Sequence, residues 1–408
     1  MYDVIVVGAR VAGASTAMLL ARKGLRVLLV DRARFPSDIR HGHLLHRHGP
    51  RRLREWGLLD KVAEATPALT AAITDFDDFP LLSTDLVEDG LPWAYAPRRS
   101  TFDAILVRAA VEAGVELREG FTVDSYNAVD GAITGITGRA GGPPVAERAR
   151  ITVGADGRHS PLARTVGARS YFEADTLLCY YFSYWADIEA SDFELYQSIE
   201  ARRGVFAFRT EGGLLAVFVA APVEELPALR RDIEGSFMAS LDAAAPRLAE
   251  RVRSGRRVEG MSGATSLPNF FRQPYGPGWA LVGDAGLHKD PWLALGMCDA
   301  MRDAELLADA IGRGLEGGAD LDEQLAGFHA TRDALTEADY RENLALARFE
   351  PRPPMLGALR QALRDRPEES TRFFKARMRM IPFESFFNPE NVGRIVGQAT
   401  APSAAAGG

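Results

Sequence analysis

The chain has 408 residues, of which 47% are hydrophobic, and its formal net charge at pH 7 is −7. This length allows two or three lobes around a sizeable core, and the mild charge gives no electrostatic reason to expect nucleic acid or an anionic membrane as a partner. The two cysteines, Cys179 and Cys298, lie far apart and outside any C-x-x-C pattern, which disfavours a disulfide scaffold, a thiol redox centre and a cysteine zinc site.

The first residues, MYDVIVVGAR, run directly into an apolar strand and a glycine turn and do not resemble a signal peptide. The longest strongly apolar run, LLAVFVAAP from Leu214, is far shorter than the roughly 20 residues needed to span a bilayer. We therefore expect a cytoplasmic protein.

The opening stretch predicts a βαβ unit. Residues 4–7 form an apolar run, a segment with helical periodicity follows, and a second apolar run at residues 27–30 ends in Asp31. Two such strands, separated by one helix within about 30 residues, pair in parallel through a right-handed crossover.

The glycine turn inside this unit predicts a dinucleotide site. Gly8 and Gly13 occupy the first and third glycine positions of G-x-G-x-x-G, before a helix whose free N–H groups favour a pyrophosphate. Asp31 follows at the distance expected for a carboxylate that accepts from a ribose hydroxyl. Arg10 replaces the middle glycine, and its side chain either turns outward or contacts the phosphate. The alternative is a βαβ unit that binds no dinucleotide.

The middle of the chain first continues this lobe. Residues 102–117 are helical in pattern, residues 120–138 predict short strands with turns, and residues 149–157 predict another buried parallel strand.

From about Thr176 the sequence predicts a different kind of sheet. Residues 177–188 and 204–221 are aromatic and β-branched, and a Glu-Gly-Gly hairpin divides the second segment. We expect an antiparallel sheet here, interrupted by one helix at about 226–243.

The last third of the chain again shows the pattern of a buried strand followed by a glycine turn and a helix. Residues 278–286 predict a buried strand with a glycine turn, and a long helix follows at 296–311. Residues 312–317 (GRGLEG) match G-x-G-x-x-G in every glycine, but they follow a helix instead of a strand, so we interpret them as a loop.

Three motifs in order carry a family resemblance. The opening turn, GADGRHS at 154–160 and GDAGLHKDP at 283–291 together resemble the FAD-dependent aromatic hydroxylases of the p-hydroxybenzoate hydroxylase type, the single-component flavoprotein monooxygenases. The resemblance covers roughly residues 1–330. It implies an α/β fold: an FAD-binding Rossmann-like domain of the glutathione-reductase type, an inserted antiparallel β-sheet substrate domain, and C-terminal helices.

The implied division is as follows. The FAD-binding domain comprises residues 1–78, 98–175 and 270–330, the substrate domain 79–97 and 176–269, the C-terminal helical region 331–398, and a disordered tail 399–408.

The resemblance also implies which residues hold FAD. Gly8, Gly13 and Asp31 hold the ADP half, Val123 contacts adenine through its backbone, and Asp284 binds the ribityl chain or the pyrophosphate. Asp156 is tied to FAD and NAD(P)H binding together with Arg158, or else only holds a tight turn. The candidate cofactor residues are Gly8, Ala9, Arg10, Val11, Ala12, Gly13, Asp31, Arg32, Arg40, Arg99, Val123, Asp156, Gly283, Asp284, Pro291, Ala294, Gly296, Met297 and Cys298.

The helix that begins at Gly296 is expected to face the flavin ring. Backbone N–H groups of Gly296, Met297 and Cys298 at a helix N-terminus stabilise the negative charge that a reduced flavin carries near N1 and C2=O. The family often has a polar residue where Cys298 stands.

The implied reaction is a hydroxylation without metal. NAD(P)H reduces FAD, and O2 then gives the C4a-hydroperoxide. The hydroperoxide transfers one oxygen atom to an aromatic or heteroaromatic substrate of the phenolic or indolic kind. NAD(P)H is expected to dock only transiently, because the sequence contains no second nucleotide-binding βαβ unit. The candidate pocket residues are the sheet aromatics Tyr180, Phe182, Tyr184, Phe206, Phe208 and Phe218. The charged C-terminal helices also permit a homodimer contact.

Three alternatives remain open. A halogenase of this fold has a W-x-W-x-I-P motif, which the five tryptophans here do not form. A reductase of the geranylgeranyl type would not use oxygen, and a flavin-binding sensor would turn over nothing.

Four histidines fall within IRHGHLLHRHGP at 39–50. Here the resemblance implies that Arg40 reaches the pyrophosphate; the alternative is a solvated loop arginine. His43 is the first candidate for moving a proton near neutrality and His288 the second. We expect His46 and His48 to face solvent or the domain surface, and the flavin interpretation requires no metal at this run.

Overall fold

A computed structural model describes residues 1–39 and 42–400, the side chains of 398–400 excepted. The helices are α1 (Val11–Arg22), α2 (Gly49–Glu55), α3 (Leu59–Ala65), α4 (Arg99–Glu112), α5 (Pro161–Thr165), α6 (Leu226–Leu229), α7 (Ile233–Ala244), α8 (Pro246–Ser254), α9 (Gly296–Leu315), α10 (Leu321–Ala347), α11 (Pro354–Leu363), α12 (Pro367–Arg377) and α13 (Pro389–Thr400).

The strands are β1 (Tyr2–Val7), β2 (Val27–Asp31), β3 (Leu45–His46), β4 (Ala68–Leu69), β5 (Ala72–Asp75), β6 (Leu81–Ser83), β7 (Val87–Glu88), β8 (Leu91–Pro92), β9 (Ala94–Tyr95), β10 (Glu116–Glu119), β11 (Thr122–Val129), β12 (Ala132–Arg139), β13 (Val145–Gly154), β14 (Ser170–Ala174), β15 (Leu178–Ala186), β16 (Phe193–Ser198), β17 (Arg203–Arg209), β18 (Leu215–Pro222), β19 (Arg256–Arg257), β20 (Ser262–Ala264), β21 (Asn269–Arg272), β22 (Tyr275–Gly276), β23 (Trp279–Leu281) and β24 (Leu287–His288).

The first lobe is built on a parallel sheet. β1 lies between β2 and β13 and pairs in parallel with both, while β10 and β23 extend the parallel part on either side. Residues 4–7 of β1, 27–30 of β2 and 151–154 of β13 are buried and almost all apolar because both faces of the sheet are covered there, one by α1, α4 and α9 and the other by residues such as Phe121 and Ile136. The predicted βαβ unit and the predicted parallel strand at 149–157 are confirmed.

The second lobe is built on a mostly antiparallel sheet in the order β19-β15-β18-β17-β16-β5-β6. Its strands β17 and β18 meet at the Glu-Gly-Gly turn, where Gly212 and Gly213 have positive φ angles that favour glycine. α7 and α8 cover one face with an apolar cluster, and aromatic side chains occupy the other. The antiparallel sheet and its hairpin are confirmed, so the predicted α/β fold class holds.

Three details differ from the sequence predictions. The single helix expected at 226–243 is two helices, α6 and α7, because the chain breaks at residues 230–232 and Asp232 caps the start of α7 by accepting from the Gly235 N–H. β5 joins the antiparallel sheet, although it lies inside the segment 1–78 assigned to the FAD-binding domain. α13 runs to Thr400, two residues into the expected tail, and the rest of that tail lies outside the described residues.

The segment 312–317 is also not a loop throughout. α9 continues to Leu315, so its first two glycines are helical. A Cβ at Gly312 would lie 2.9 Å from the Lys23 side chain, so α9 passes close to the end of α1 at this position. The segment is therefore not a nucleotide turn, as its position after a helix predicted.

The C-terminal helices anchor on both lobes. Arg332 on α10 is fully buried and donates to the carbonyls of Gly286 and Arg272, and Arg360 on α11 is fully buried and bonds to Asp78. Among the described residues, no helix combines the length and the apolarity needed to cross a membrane.

We predict that Gly13→Ala destabilises the protein, because the new Cβ would lie 1.7 Å from the Gly8 carbonyl oxygen, a backbone atom that cannot move aside. Overpacking of this kind costs about 1–3 kcal/mol in the free energy of unfolding, measured by chemical denaturation. The matched control is Gly327→Ala in α10, where the Cβ meets nothing within 4 Å. This control should gain about 0.4–1 kcal/mol. Equal effects of the two variants would contradict the packing of the turn.

Candidate flavin and substrate site

A cavity of about 800 Å³ opens where the parallel strands end and runs to the aromatic face of the antiparallel sheet. One end is lined by the turn after β1, the end of β2 and the segment after β13. The other end is lined by side chains of β15, β17 and β18 and by the segment 287–297. The carboxyl ends of parallel strands are where open α/β sheets bind ligands. The cavity therefore joins the predicted cofactor site and the predicted substrate site.

The glycine turn after β1 is closed by direct backbone contact. Gly8 has a φ of 102°, and a Cβ there would lie 2.4 Å from the Ala155 carbonyl oxygen. Asp31 ties the turn down, because its carboxylate accepts from the Ala9 N–H and from the Ala33 N–H, both at 2.7 Å. The N-terminus of α1 is thereby held at the cavity, which Val11 and Ala12 line, and the free N–H groups of a helix N-terminus favour an anion.

Arg10, which replaces the middle glycine, points in a direction the sequence did not predict. Its side chain turns toward α4, where it donates to Asp103 at 2.8 Å and to Ser37 at 3.1 Å. Arg99 shares the same fully buried carboxylate through two hydrogen bonds of 3.1 Å. The alternative of an outward-turned side chain is wrong, because the buried Asp103 carboxylate draws the guanidinium to it as a charged partner. Contact of Arg10 with a phosphate stays a prediction.

Most of the predicted cofactor residues line this cavity. These are Gly8, Arg10, Val11, Ala12, Asp31, Arg32, Arg99, Val123, Asp156, Gly283, Asp284, Pro291, Ala294, Gly296 and Met297. Ala9 and Gly13 are buried behind the turn, and Arg40 lies outside the described residues. The geometry brings the set together; the contact of each residue with FAD stays a prediction.

The first residues of α9 line the cavity, but the side chain of Cys298 points away from it. Gly296 and Met297 line the cavity, whereas the Cys298 thiol points into the core and donates to the His46 carbonyl at 3.0 Å. Burial raises the pKa of Cys298 to about 11, so the thiol stays protonated. Cys298 therefore presents no polar side chain to the cavity. Ala294, two residues before the helix, has a left-handed backbone conformation with a φ of 51°.

Sequence reasoning missed a buried ionic cluster where the loop before α9 (residues 289–295, called the α9 loop below) meets the start of that helix. Lys289 pairs with Asp299 at 2.5 Å, and Arg302 pairs with Asp299 and Asp303 at 3.0 and 2.8 Å. Lys289, Asp299 and Asp303 all line the cavity. The available signal was the spacing of Asp299 and Asp303, which lie four residues apart on one face of the predicted helix.

The histidine run behaves differently from the prediction. His43 is buried; its Nδ1 faces the Ala96 carbonyl at 3.1 Å and its Nε2 faces the Tyr184 hydroxyl at 3.0 Å. Because a carbonyl can only accept, Nδ1 carries the proton and Nε2 accepts from Tyr184. Burial lowers the pKa of His43 to about 3, so the expectation that it titrates near neutrality is wrong.

His46 was expected to face solvent, and this is also wrong. It is buried, its Nε2 donates to the Leu293 carbonyl at 2.9 Å, and burial lowers its pKa to about 4. Its buried apolar neighbours, Leu44 and the strand residue Leu45, carry it into the interior. His48 is exposed, as predicted. No three His, Cys, Asp or Glu side chains of the described residues converge as metal ligands do.

His288, the second proton-transfer candidate, lines the cavity. Its Nδ1 hydrogen-bonds with the Pro268 carbonyl, and its ring stacks on Phe270 at 5.9 Å between centroids. Its role in proton transfer stays a prediction.

The aromatic residues form one continuous face. Phe182, Phe218 and Phe206 stand in register on three adjacent strands, with ring centroids of Phe182 and Phe218 4.5 Å apart. Phe208 stacks on Phe218 at 5.3 Å. Of the six predicted pocket residues, Tyr180 and these four phenylalanines line the cavity, and Tyr184 stands behind His43. Phe193 also lines it and was missed, because its strand showed no marked sequence signal.

Comparison with known proteins gives three kinds of relative. A family model described as an FAD binding domain matches residues 1–342. A 1H-pyrrole-2-carbonyl-[peptidyl-carrier protein] brominase from Pseudoalteromonas luteoviolacea is 23% identical over 81% of each chain. A digeranylgeranylglycerophospholipid reductase from Methanocella arvoryzae is 26% identical over 78% of this chain and 79% of its own. An aklavinone 12-hydroxylase from Streptomyces peucetius is 30% identical over 40% of this chain and 37% of its own.

Solved structures share the fold. A flavin-dependent brominase superposes with a TM-score of 0.76 at 20% identity, covering 97% of this chain and 93% of its own. The probable FAD-dependent monooxygenase PqsL from Pseudomonas aeruginosa superposes with a TM-score of 0.73 at 22% identity, covering 85% of this chain and 95% of its own.

We predict that the His43 imidazole stays neutral in the folded protein at pH 5. Its pKa of about 3 lies below the ordinary value of 6.5, so only the unfolded chain takes up this proton between those pH values. The stability contribution of neutral His43 is therefore complete above pH 6.5 and is lost as the pH falls toward 3. Nitrogen NMR of labelled histidine, assigned with His43→Gln, measures the protonation state. A His43 signal with a midpoint near 6.5 would contradict its burial.

Proposed function

The chain belongs to the FAD binding domain family, and on that premise we propose that this FAD-dependent oxidoreductase is a monooxygenase. It takes electrons from transiently docked NAD(P)H, uses O2, and inserts one oxygen atom into an aromatic or heteroaromatic small molecule. The observation that carries the proposal is the phenylalanine face, which meets the segment 291–297 across one cavity that also reaches the glycine turn.

The residues present fit FAD. Gly8 and Gly13 leave a cradle that a Cβ would fill, the N-terminus of α1 offers free N–H groups, and the carboxylate of Asp31 lies at the end of β2. In this placement the turn would hold the pyrophosphate, Asp284 would hold the ribityl chain or the pyrophosphate, and the N–H groups at the start of α9 would stabilise the flavin ring. When bound, FAD supplies the two-electron redox chemistry and the reaction with O2.

At the end of the cavity that the antiparallel sheet lines, the protein itself contributes the shape of the pocket and the exclusion of water. Phe182, Phe208 and Phe218 are each less than a tenth exposed, and they form an apolar wall against which a flat ring stacks or packs edge-on. A closed apolar site keeps water away from the reacting atoms. His43, locked as the neutral Nδ1–H tautomer, contributes a fixed edge to this wall and no exchangeable charge.

The relatives support an aromatic ring as substrate. The hydroxylase is named for aklavinone, the brominase for a pyrrole ring, and PqsL was solved in complex with 2-aminobenzoylacetate. The second candidate is a reduction without oxygen, favoured by the similarity to the digeranylgeranylglycerophospholipid reductase over more than three quarters of both chains. Bromination, favoured by the brominase at equal coverage, is an outcome that the same assay detects.

We predict oxygen-dependent turnover. The FAD-loaded enzyme is incubated with NADH or NADPH and a panel of phenols and indoles, and products are read by mass spectrometry under labelled O2. A hydroxylase gives a product that gains one labelled oxygen atom and gives none without O2.

The controls separate the rivals. Product that gains two hydrogens under anaerobic conditions would favour the reductase and contradict the proposal. Product that forms only when bromide is added, and that carries bromine, would favour the brominase. Reactions without FAD or without the nicotinamide cofactor measure the background.

A further inference from the structure

Asp290 is a buried carboxyl group at the junction of the α9 loop and the antiparallel sheet. It is 1% exposed, and both it and the next residue, Pro291, line the cavity. Its N–H donates to Asn269 Oδ1 at 2.7 Å, and the Asn343 amide donates to its carbonyl at 2.8 Å. The Trp292 N–H donates to its Oδ1 at 3.1 Å. These contacts fix the carboxyl group in place without any ligand.

Tyr180 supplies the other contact of this carboxyl group. The Tyr180 hydroxyl donates to Asp290 Oδ1 at 2.5 Å. Tyr180 lies two residues before Phe182 on β15, on the same face of the strand, and both line the cavity. The tyrosine therefore belongs to the aromatic face, and it carries a polar atom where its neighbours carry none.

The carboxylate is only half satisfied. Oδ1 accepts from Tyr180 and from the Trp292 N–H, whereas the buried Oδ2 has no hydrogen-bond partner among the described residues. A buried ionised carboxylate with so few donors is costly, and the cost falls when it takes up a proton. Consistent with this, burial raises the pKa of Asp290 to about 6.

The Tyr180 hydroxyl oxygen can also accept a further hydrogen bond. The hydroxyl uses its one proton toward Asp290, and its oxygen still has lone pairs with which to accept a hydrogen bond. Every phenylalanine of the face lacks such an acceptor. A ligand that lies on the face and carries a donor finds its acceptor at this tyrosine.

We propose that the Tyr180–Asp290 pair recognises an O–H or N–H group on the aromatic substrate and receives the proton of that group during the reaction. The inference rests on the proposed function and names the substrate class: aromatic rings with a hydrogen-bond donor, such as phenols or N–H heteroaromatics. Tyr180 touches the substrate, and Asp290 acts through Tyr180.

The proton step balances within the pair. The substrate O–H bond breaks as a new O–H bond forms on the Tyr180 oxygen, and the original Tyr180 proton moves to Asp290 Oδ1. The electron pair of the broken bond stays on the substrate oxygen and raises the electron density of its ring. An electron-rich ring reacts more readily with an electrophilic atom.

The chain contains a matched control pair. Tyr196 donates to Glu194 at 2.5 Å, Glu194 is fully buried, and its Oε1 also has no hydrogen-bond partner among the described residues. Arg251 neutralises this carboxylate at 2.5 Å, and neither residue lines the cavity. Changes at this pair test the cost of altering a buried tyrosine–carboxylate contact without touching the site.

The test is binding of phenol and anisole to the oxidised, FAD-loaded enzyme, followed by the flavin absorbance spectrum. Anisole has the same ring and oxygen but no proton to donate. We expect phenol to bind about tenfold more tightly than anisole, since one hydrogen bond to a charge-supported acceptor contributes about 1.4 kcal/mol. Tyr180→Phe and Asp290→Asn should bring the ratio close to one, with anisole affinity unchanged, while Glu194→Gln should keep the tenfold ratio.

Each result has a defined meaning. Retention of the ratio in Tyr180→Phe, or failure of both ligands to bind the unaltered enzyme, overturns the inference. Thermal unfolding and FAD content of each variant show that it is folded; because Tyr180→Phe removes a single oxygen, it serves as the decisive variant if Asp290→Asn does not fold. The measurement uses neither NAD(P)H nor O2, so the pair can pass it even if the turnover assay contradicts the monooxygenase.

Discussion

The close approach of three backbone segments at the carboxyl edge of the parallel sheet is the constraint on which the rest of the structure depends. Gly8 lies against the Ala155 carbonyl, and Gly13 lies against Gly8, so neither position has room for a Cβ. The carboxylate of Asp31 closes the turn through two backbone N–H groups. This contact directs the N-terminus of α1 at the cavity, where an anionic pyrophosphate is favoured.

A second contact sets the distance between the two lobes. A Cβ at Gly204 on β17 would lie 2.5 Å from the Trp292 ring, so glycine lets the α9 loop approach the sheet closely. Trp292 packs edge-on against Phe206 of the aromatic face and against Phe349, which follows α10. The loop is thus clamped between the sheet and the C-terminal helices, and the aromatic face meets the cofactor site at a fixed separation.

Local patterns predicted the βαβ unit and the antiparallel sheet, and the family resemblance implied how the two combine. Strand-turn-helix order identified the nucleotide turn despite Arg10, and the same rule rejected the segment 312–317 despite its three glycines. Burial of single polar residues was not predictable, because it depends on partners distant in sequence: His43 meets Tyr184, Arg10 meets Asp103, and Asp290 meets Tyr180. Each of these pairs joins elements 90 or more residues apart, and no periodicity within either element reports the other.

The central claim is that one cavity holds FAD with its pyrophosphate at the turn after β1 and its ring between α9 and the phenylalanine face. A crystal structure of the protein grown with FAD tests this most directly. The claim predicts pyrophosphate density at the N-terminus of α1 and ring density between Gly296 and Phe218. Flavin density elsewhere on the molecule, or this cavity left empty at saturating FAD, would contradict it.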